Sequence, residues 1–201
     1  MEDSYLTLEQ PSGENLYKIK NSKFFSFGYP VTSVEEIKEH LKQIKKVHYQ
    51  ARHWCYAWRL GTAPVQYRAN DDGEPSNTAG QPILGQLQSF EVTNTLVIVV
   101  RYFGGVKLGV GGLISAYRNS ALQCLESSKI VTKLITDIIE LHFEYPLMNE
   151  VMRKVKQHNI TITNQKFESN CIIWLETVKS KTIETKAIFN AIYGVSVIEE
   201  E

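Results

Sequence analysis

Nine of the chain's 12 glycines lie between Gly61 and Gly112, and five of them crowd into the run Arg101-Tyr-Phe-Gly-Gly-Val-Lys-Leu-Gly-Val-Gly-Gly-Leu113. Glycine reaches positive φ and lets one backbone approach another, so this density marks tight turns rather than regular structure. The flanks of the run constrain it further. Leu96 to Val100 is apolar at every position, the pattern of a strand covered on both faces. Beyond the run, Val110, Leu113, Ile114, Tyr117, Ala121, Cys124 and Leu125 recur at helical spacing, with Gly111, Ser115 and Arg118 on the opposite side. The expected order is a buried central strand, a glycine loop and a long amphipathic helix.

Upstream, Ser33-Val-Glu-Glu36 reads as a capping box that opens a helix carrying Val34, Ile37, Leu41 and Ile44. His53 to Arg59 alternates as a strand does: Trp54, Tyr56 and Trp58 share one side, while His53, Cys55, Ala57 and Arg59 share the other. One of those faces is expected to be core. From about Lys133 only one more glycine, Gly194, occurs, and the pattern becomes strand (137–144), helix (147–158), strand (160–167), strand (171–178), helix (181–191) and strand (195–198). This βαββαβ order predicts a ferredoxin-like domain. The shift marks a boundary, giving expected domains of 1–132 and 133–201. The fold class is therefore α+β in two domains.

Composition narrows the classes of function. With 201 residues there is room for two small domains, and 43% hydrophobic residues argue against disorder or a fibrous repeat. The 22 Lys plus Arg balance 22 Asp plus Glu, so any attraction to nucleic acid must come from a local patch. The apolar run Leu96 to Val100 falls far short of the roughly 20 residues a bilayer requires, and Met1-Glu2-Asp3 does not resemble a secretory signal. The expected location is the cytoplasm, with no membrane partner. Three widely spaced cysteines, Cys55, Cys124 and Cys171, fit free thiols in a reducing compartment better than a disulfide scaffold.

Three clusters carry candidate chemistry. Gly104, Gly105, Gly109, Gly111 and Gly112 lie between strand and helix, where backbone amides and the positive helix end suit a phosphate or carboxylate, and Arg101, Lys107 and Arg118 add charge. The nucleotide signatures fail: Gly104 to Gly109 has phosphate-loop spacing but Val110 follows instead of lysine, and Gly109-Val-Gly111 lacks glycine at Ile114. A purely structural turn is the alternative. The second cluster, Asp71, Asp72, Gly73 and Glu74 with Thr78, offers carboxylates for a divalent metal or for acid–base work. Against that stands a turn that launches a helix near Pro82 by backbone hydrogen bonds, or carboxylates that orient Arg59, Arg68 or Arg101. Third, His53 and Cys55 share a strand face as a nucleophilic pair would, yet buried structural roles account for them better, and no zinc-ligand spacing completes a metal site. Trp54, Tyr56 and Trp58 read as core packing before they read as a base-stacking platform.

The runs Asp71-Asp-Gly-Glu-Pro-Ser76, Thr78-Ala-Gly80, Arg101-Tyr-Phe-Gly-Gly105, Lys107-Leu-Gly109 and Gly111-Gly-Leu113 resemble the IMPACT family of YigZ-like proteins. Ser22-Lys-Phe24, Ala51-Arg-His53 with Cys55, and Ala116-Tyr117 extend the resemblance over roughly residues 15 to 130, and the tail resembles the small ferredoxin-like domain of bacterial members. Asn77 stands where the family pattern has glycine; if positive φ is needed there, asparagine is the next most tolerant residue. The resemblance implies a ribosomal-protein-like α/β sandwich of the S-five domain-two type, also found in elongation factor G, followed by a ferredoxin-like domain like that factor's last one. Both shapes are associated with translation. Eukaryotic members regulate translation through a kinase pathway but carry an additional amino-terminal partner domain that these residues do not include, so that partner role is not carried over. No catalytic residue, metal ligand or cofactor is assigned.

The expected function is that of a non-enzymatic cytoplasmic protein which binds RNA or the ribosome and is linked to regulation of translation. Two alternatives remain open. One is an enzyme acting on a small phosphorylated or carboxylate substrate with a divalent metal. The other is a protein-interaction module in which the second domain's sheet holds a partner.

Overall fold

The computed structural model describes residues 3–198. In chain order the elements are β1 (Ser4–Leu8), β2 (Asn15–Ile19), β3 (Ser22–Pro30), α1 (Val34–Val47), β4 (His53–Leu60), β5 (Gln66–Asn70), α2 (Gly80–Ser89), β6 (Thr95–Tyr102), α3 (Gly109–Glu126), β7 (Ile130–Leu134), β8 (Thr136–Phe143), α4 (Met148–Gln157), β9 (Thr161–Phe167), β10 (Cys171–Val178), α5 (Thr182–Asn190) and β11 (Ser196–Ile198). Among the described residues they divide into two units, 5–133 and 134–198 with 3–4.

In the first unit the apolar strand β6 lies at the middle of an antiparallel sheet ordered β2-β3-β6-β4-β5. Its even residues Leu96, Ile98 and Val100 pack with Ile37 and Ile44 of α1 and with Trp58, while Val97 and Val99 pack on the other face with α2 and α3. Both faces are covered, which is why the strand is hydrophobic at every step. Strand β4 is likewise sandwiched: Cys55 and Ala57 join the α2/α3 core, and Trp58 with the half-buried Trp54 and Tyr56 joins the α1 core. Two core faces therefore replace the one expected, because helices cover the sheet on both sides. The aromatic residues of β4 are packing residues, not a platform.

The N-terminus of α1 departs from a capping box in one bond. Ser33 Oγ accepts from the Glu36 amide at 3.2 Å, but the Glu36 carboxylate reaches back one residue further, to the Thr32 amide at 2.6 Å. The Glu36 carboxylate remains the acceptor, and the donor shifts from the Ser33 amide to that of Thr32.

In the second unit the sheet order is β11-β8-β10-β9, antiparallel throughout, with α4 and α5 contributing Val151, Val155 and Phe189 to its core. This is the ferredoxin-like arrangement. Strand β10 alternates cleanly, with Cys171, Ile173 and Leu175 inward. The cysteines Cys55, Cys124 and Cys171 are all buried, unpaired thiols. No described helix is long and apolar enough to cross a membrane.

Candidate functional site

The acidic turn between β5 and α2 is built around its own carboxylates. Asp72 and Asn77 adopt positive φ of 41° and 62°, and Gly73 one of 89°, so the chain doubles back tightly over these residues. Asn77 thus occupies the left-handed region, which asparagine tolerates best after glycine. Asp71 Oδ1 accepts the amides of Ala79 and Gly80 at 2.9 and 2.8 Å, and Oδ2 accepts that of Asn77 at 2.9 Å. Ala79, at the cap position of α2, has no polar side chain, and Asp71 caps the helix from eight residues upstream. Asp72 Oδ2 accepts the Trp54 amide at 2.8 Å, and its other oxygen faces Lys45 Nζ at 3.6 Å. The Thr78 hydroxyl donates to the Pro75 carbonyl at 2.6 Å. The turn does launch a helix, through Asp71 more than through Asp72 or Thr78.

Glu74 points inward. Its Oε1 accepts Arg101 Nη1 at 2.7 Å and the Tyr117 hydroxyl at 2.8 Å, and the Arg101 and Glu74 side chains are 8% and 4% exposed. Arg101, read as adding charge at the loop or as oriented by a carboxylate of the acidic turn, takes the second role: it lies buried on Glu74, its guanidinium 5.6 Å from the ring centres of both Phe24 and Phe103. The cause is strand parity: Arg101 shares a face of β6 with Val97 and Val99, the face packed on α2 and α3. Cys55 Sγ lies 3.0 Å from the Asp71 carbonyl and 3.3 Å from the Tyr117 oxygen. His53 Nδ1 meets the Asp72 carbonyl at 3.0 Å. Burial pushes both the Cys55 thiol and the Tyr117 phenol well up, so each stays protonated at neutral pH. His53 and Cys55 therefore clamp the turn rather than form a nucleophile. Among the described residues no group of three or more His, Cys, Asp or Glu is arranged to hold a metal ion.

The glycine loop behaves differently at its two ends. The Gly104 amide donates to Ser22 Oγ at 3.1 Å, and a Cβ at Gly104 would lie 2.1 Å from the Asn21 carbonyl carbon, so this glycine serves close packing. Past it the chain opens to solvent. Gly105 and Gly109 have positive φ of 84° and 70°, and nothing lies within 4 Å of a Cβ built on Gly105, Gly109 or Gly111. Among the described residues the amides of 105–111 have no acceptor, the last of them being the unpaired donors at the start of α3. Gly112 is half-buried against Leu108. Lys107 and, on the outer side of α3, Arg118 are exposed and make no ion pair among the described residues.

Three cations at the turn that Gly104 packs against were not singled out from the sequence. Lys20 and Asn21, both at positive φ, form the turn between β2 and β3 that Gly104 packs against, and Lys18, Lys20 and Lys23 stand exposed around it. Three lysines within six residues were the available signal.

Residues 20–125 match the model of the Impact N-terminal domain. YvyE, an IMPACT family member of Bacillus subtilis, is 34% identical over 83% of this chain and 76% of its own length. YigZ, the family member of Escherichia coli, is 32% identical over 85% of this chain and 84% of its own. A crystal structure described as that of a hypothetical protein superposes over the whole of both chains with a TM-score of 0.74 at 29% identity. The glycine loop and the acidic turn both lie inside the matched residues, and the chain belongs to the IMPACT family.

Proposed function

We propose that the protein binds RNA, on the ribosome or in a complex engaged in translation, through the loop Gly104–Gly112 and the lysines beside it. The observation that carries this reading is the set of amides of the exposed residues 105–111, which have no acceptor among the described residues. Such a row of donors, at the positive end of α3, favours an anion with several oxygens, and phosphate is the commonest. Lys107, Arg118 and the trio Lys18, Lys20 and Lys23 supply the local charge that a chain of zero net charge otherwise lacks. Family membership supports the link to translation through the translation-associated shapes the resemblance implies. The three carboxylates of the acidic turn serve internal bonds, which favours a non-enzymatic role over metal-assisted chemistry. The reading entails a cytoplasmic protein whose loop-bearing domain covers 1–132 and whose ferredoxin-like domain covers 133–201.

Neutralising about three to five phosphates predicts that log affinity for RNA falls against log salt with a slope of roughly −2 to −4. Anisotropy titrations of labelled RNA, and sedimentation with ribosomes, test this. Flat salt dependence, or no association at low salt, would reject the proposal.

A further inference from the structure

A cleft of 560 Å³ opens beside the glycine loop, between β3, the end of β6 and the residues that follow α1. Its size falls within the range of small-ligand sites, about 300–1,000 Å³. Phe103 stands at its mouth, 60% exposed, with one side set against the buried Arg101 guanidinium and the ring otherwise open to solvent. The Glu74 ion pair fixes the Arg101 guanidinium against which one side of the ring lies. Phe25 and Tyr102 continue the aromatic lining inward. At the inner end lies His48, whose side chain is 10% exposed. Its Nδ1 pairs with the Tyr102 hydroxyl at 3.0 Å, but its Nε2 is buried with no hydrogen-bond partner, the Glu14 carboxylate lying 4.0 Å away. Lys23 and Asn21 line both this cleft and the lysine-bordered hollow at the β2–β3 turn, so the cleft is continuous with the basic surface.

We infer that this cleft takes one unpaired nucleobase of a single-stranded RNA, stacked on Phe103, while the flanking phosphates lie along Lys18, Lys20, Lys23 and the open amides of the loop. The inference rests on the RNA-binding reading above and adds to it the form of RNA that is bound. An aromatic face gives stacking without regard to sequence, and the exposed lysines beside the cleft give the charge for the phosphates that flank a stacked base. An apolar protein side chain in the cleft would leave those lysines without a counter-charge. A duplex keeps its bases stacked inside and offers the cleft nothing.

The test compares labelled single strands of about 12 nucleotides, oligouridine and oligoadenosine, with a duplex of the same length, by anisotropy at about 50 mM salt. The single strands are expected to bind at least about tenfold more tightly than the duplex, and Phe103→Ala to weaken them about 5- to 50-fold. Phe103→Trp keeps an aromatic face; it is expected to retain affinity and to lose fluorescence on binding. Thermal melting of each variant separates lost binding from lost folding. Equal affinity for duplex and single strand, or single-strand affinity indifferent to Phe103→Ala in a folded variant, overturns the cleft assignment while leaving the RNA reading standing. The second result would point to a protein as the occupant of the cleft. Binding to neither RNA overturns both.

Discussion

Glu74 and Arg101 form a buried ion pair, with Oε1 and Nη1 2.7 Å apart and both side chains less than a tenth exposed. The pair joins the acidic turn to the end of β6 and, through the Tyr117 hydroxyl on the same oxygen, to α3. Removing the carboxylate leaves a buried guanidinium without its counter-charge, and its Nε already lacks a partner. Glu74→Gln is therefore expected to lower stability by about 3–5 kcal/mol in urea unfolding. A loss below about 1 kcal/mol would show that the pair does not organise the turn.

The glycines separate by what a Cβ would meet. Gly104→Ala and Gly80→Ala place the new carbon 2.1 Å from the Asn21 carbonyl carbon and 2.4 Å from the Asn70 nitrogen, both backbone atoms that cannot rotate away. Each is expected to cost more than about 2 kcal/mol. Gly85, inside α2 with open space around it, is the control: Gly85→Ala is expected to stabilise by about 0.5–1 kcal/mol. Thermal melting of the three variants checks the contrast, and equal effects would contradict it.

Asp71→Ala removes the acceptor of three amides at once and leaves α2 without any side-chain cap. A loss of about 2 kcal/mol is expected, with faster hydrogen exchange confined to 77–80 if the helix frays locally. Unchanged exchange there would mean another group takes over the cap.

These contacts mark the limit of what the sequence disclosed. The glycine loop between a doubly covered strand and a long helix was legible because hydrophobic periodicity is local, and the βαββαβ order of the second unit was legible for the same reason. The specific partners of Asp71, Glu74 and His53 were not, because they join residues 6 to 43 positions apart with no periodic pattern to mark them. For Arg101, strand parity decides between the two readings: it keeps the parity of Val97 and Val99, and that alternation places it toward the helices and Glu74 rather than the loop. His48 carried no pattern, and Phe103, though inside the Arg101–Gly105 run, carried nothing that marked it as part of a cleft.

His48 gives a pH dependence of stated sign. Burial lowers its pKa below the usual 6.5, partly offset by Glu14 at 4.0 Å, while Tyr102, Phe25 and Phe27 enclose the ring. The unfolded chain binds the proton more readily, so stability contributed by the neutral ring is present above the unfolded pKa and lost as pH falls below it. The parent protein is expected to lose more stability than His48→Gln between about pH 7.5 and about pH 5.5. Denaturant midpoints at the two pH values measure the difference, and a larger loss in the variant would contradict the assignment.

RNA binding through the glycine loop requires the amides of 105–111 to meet phosphate, and a titration of isotopically labelled protein with single-stranded RNA reads those amides one by one. Saturable shifts at Gly105, Lys107, Gly109 and Gly111 that weaken as salt is raised are the predicted result. Bound RNA that moves other resonances while these four stay fixed would contradict it.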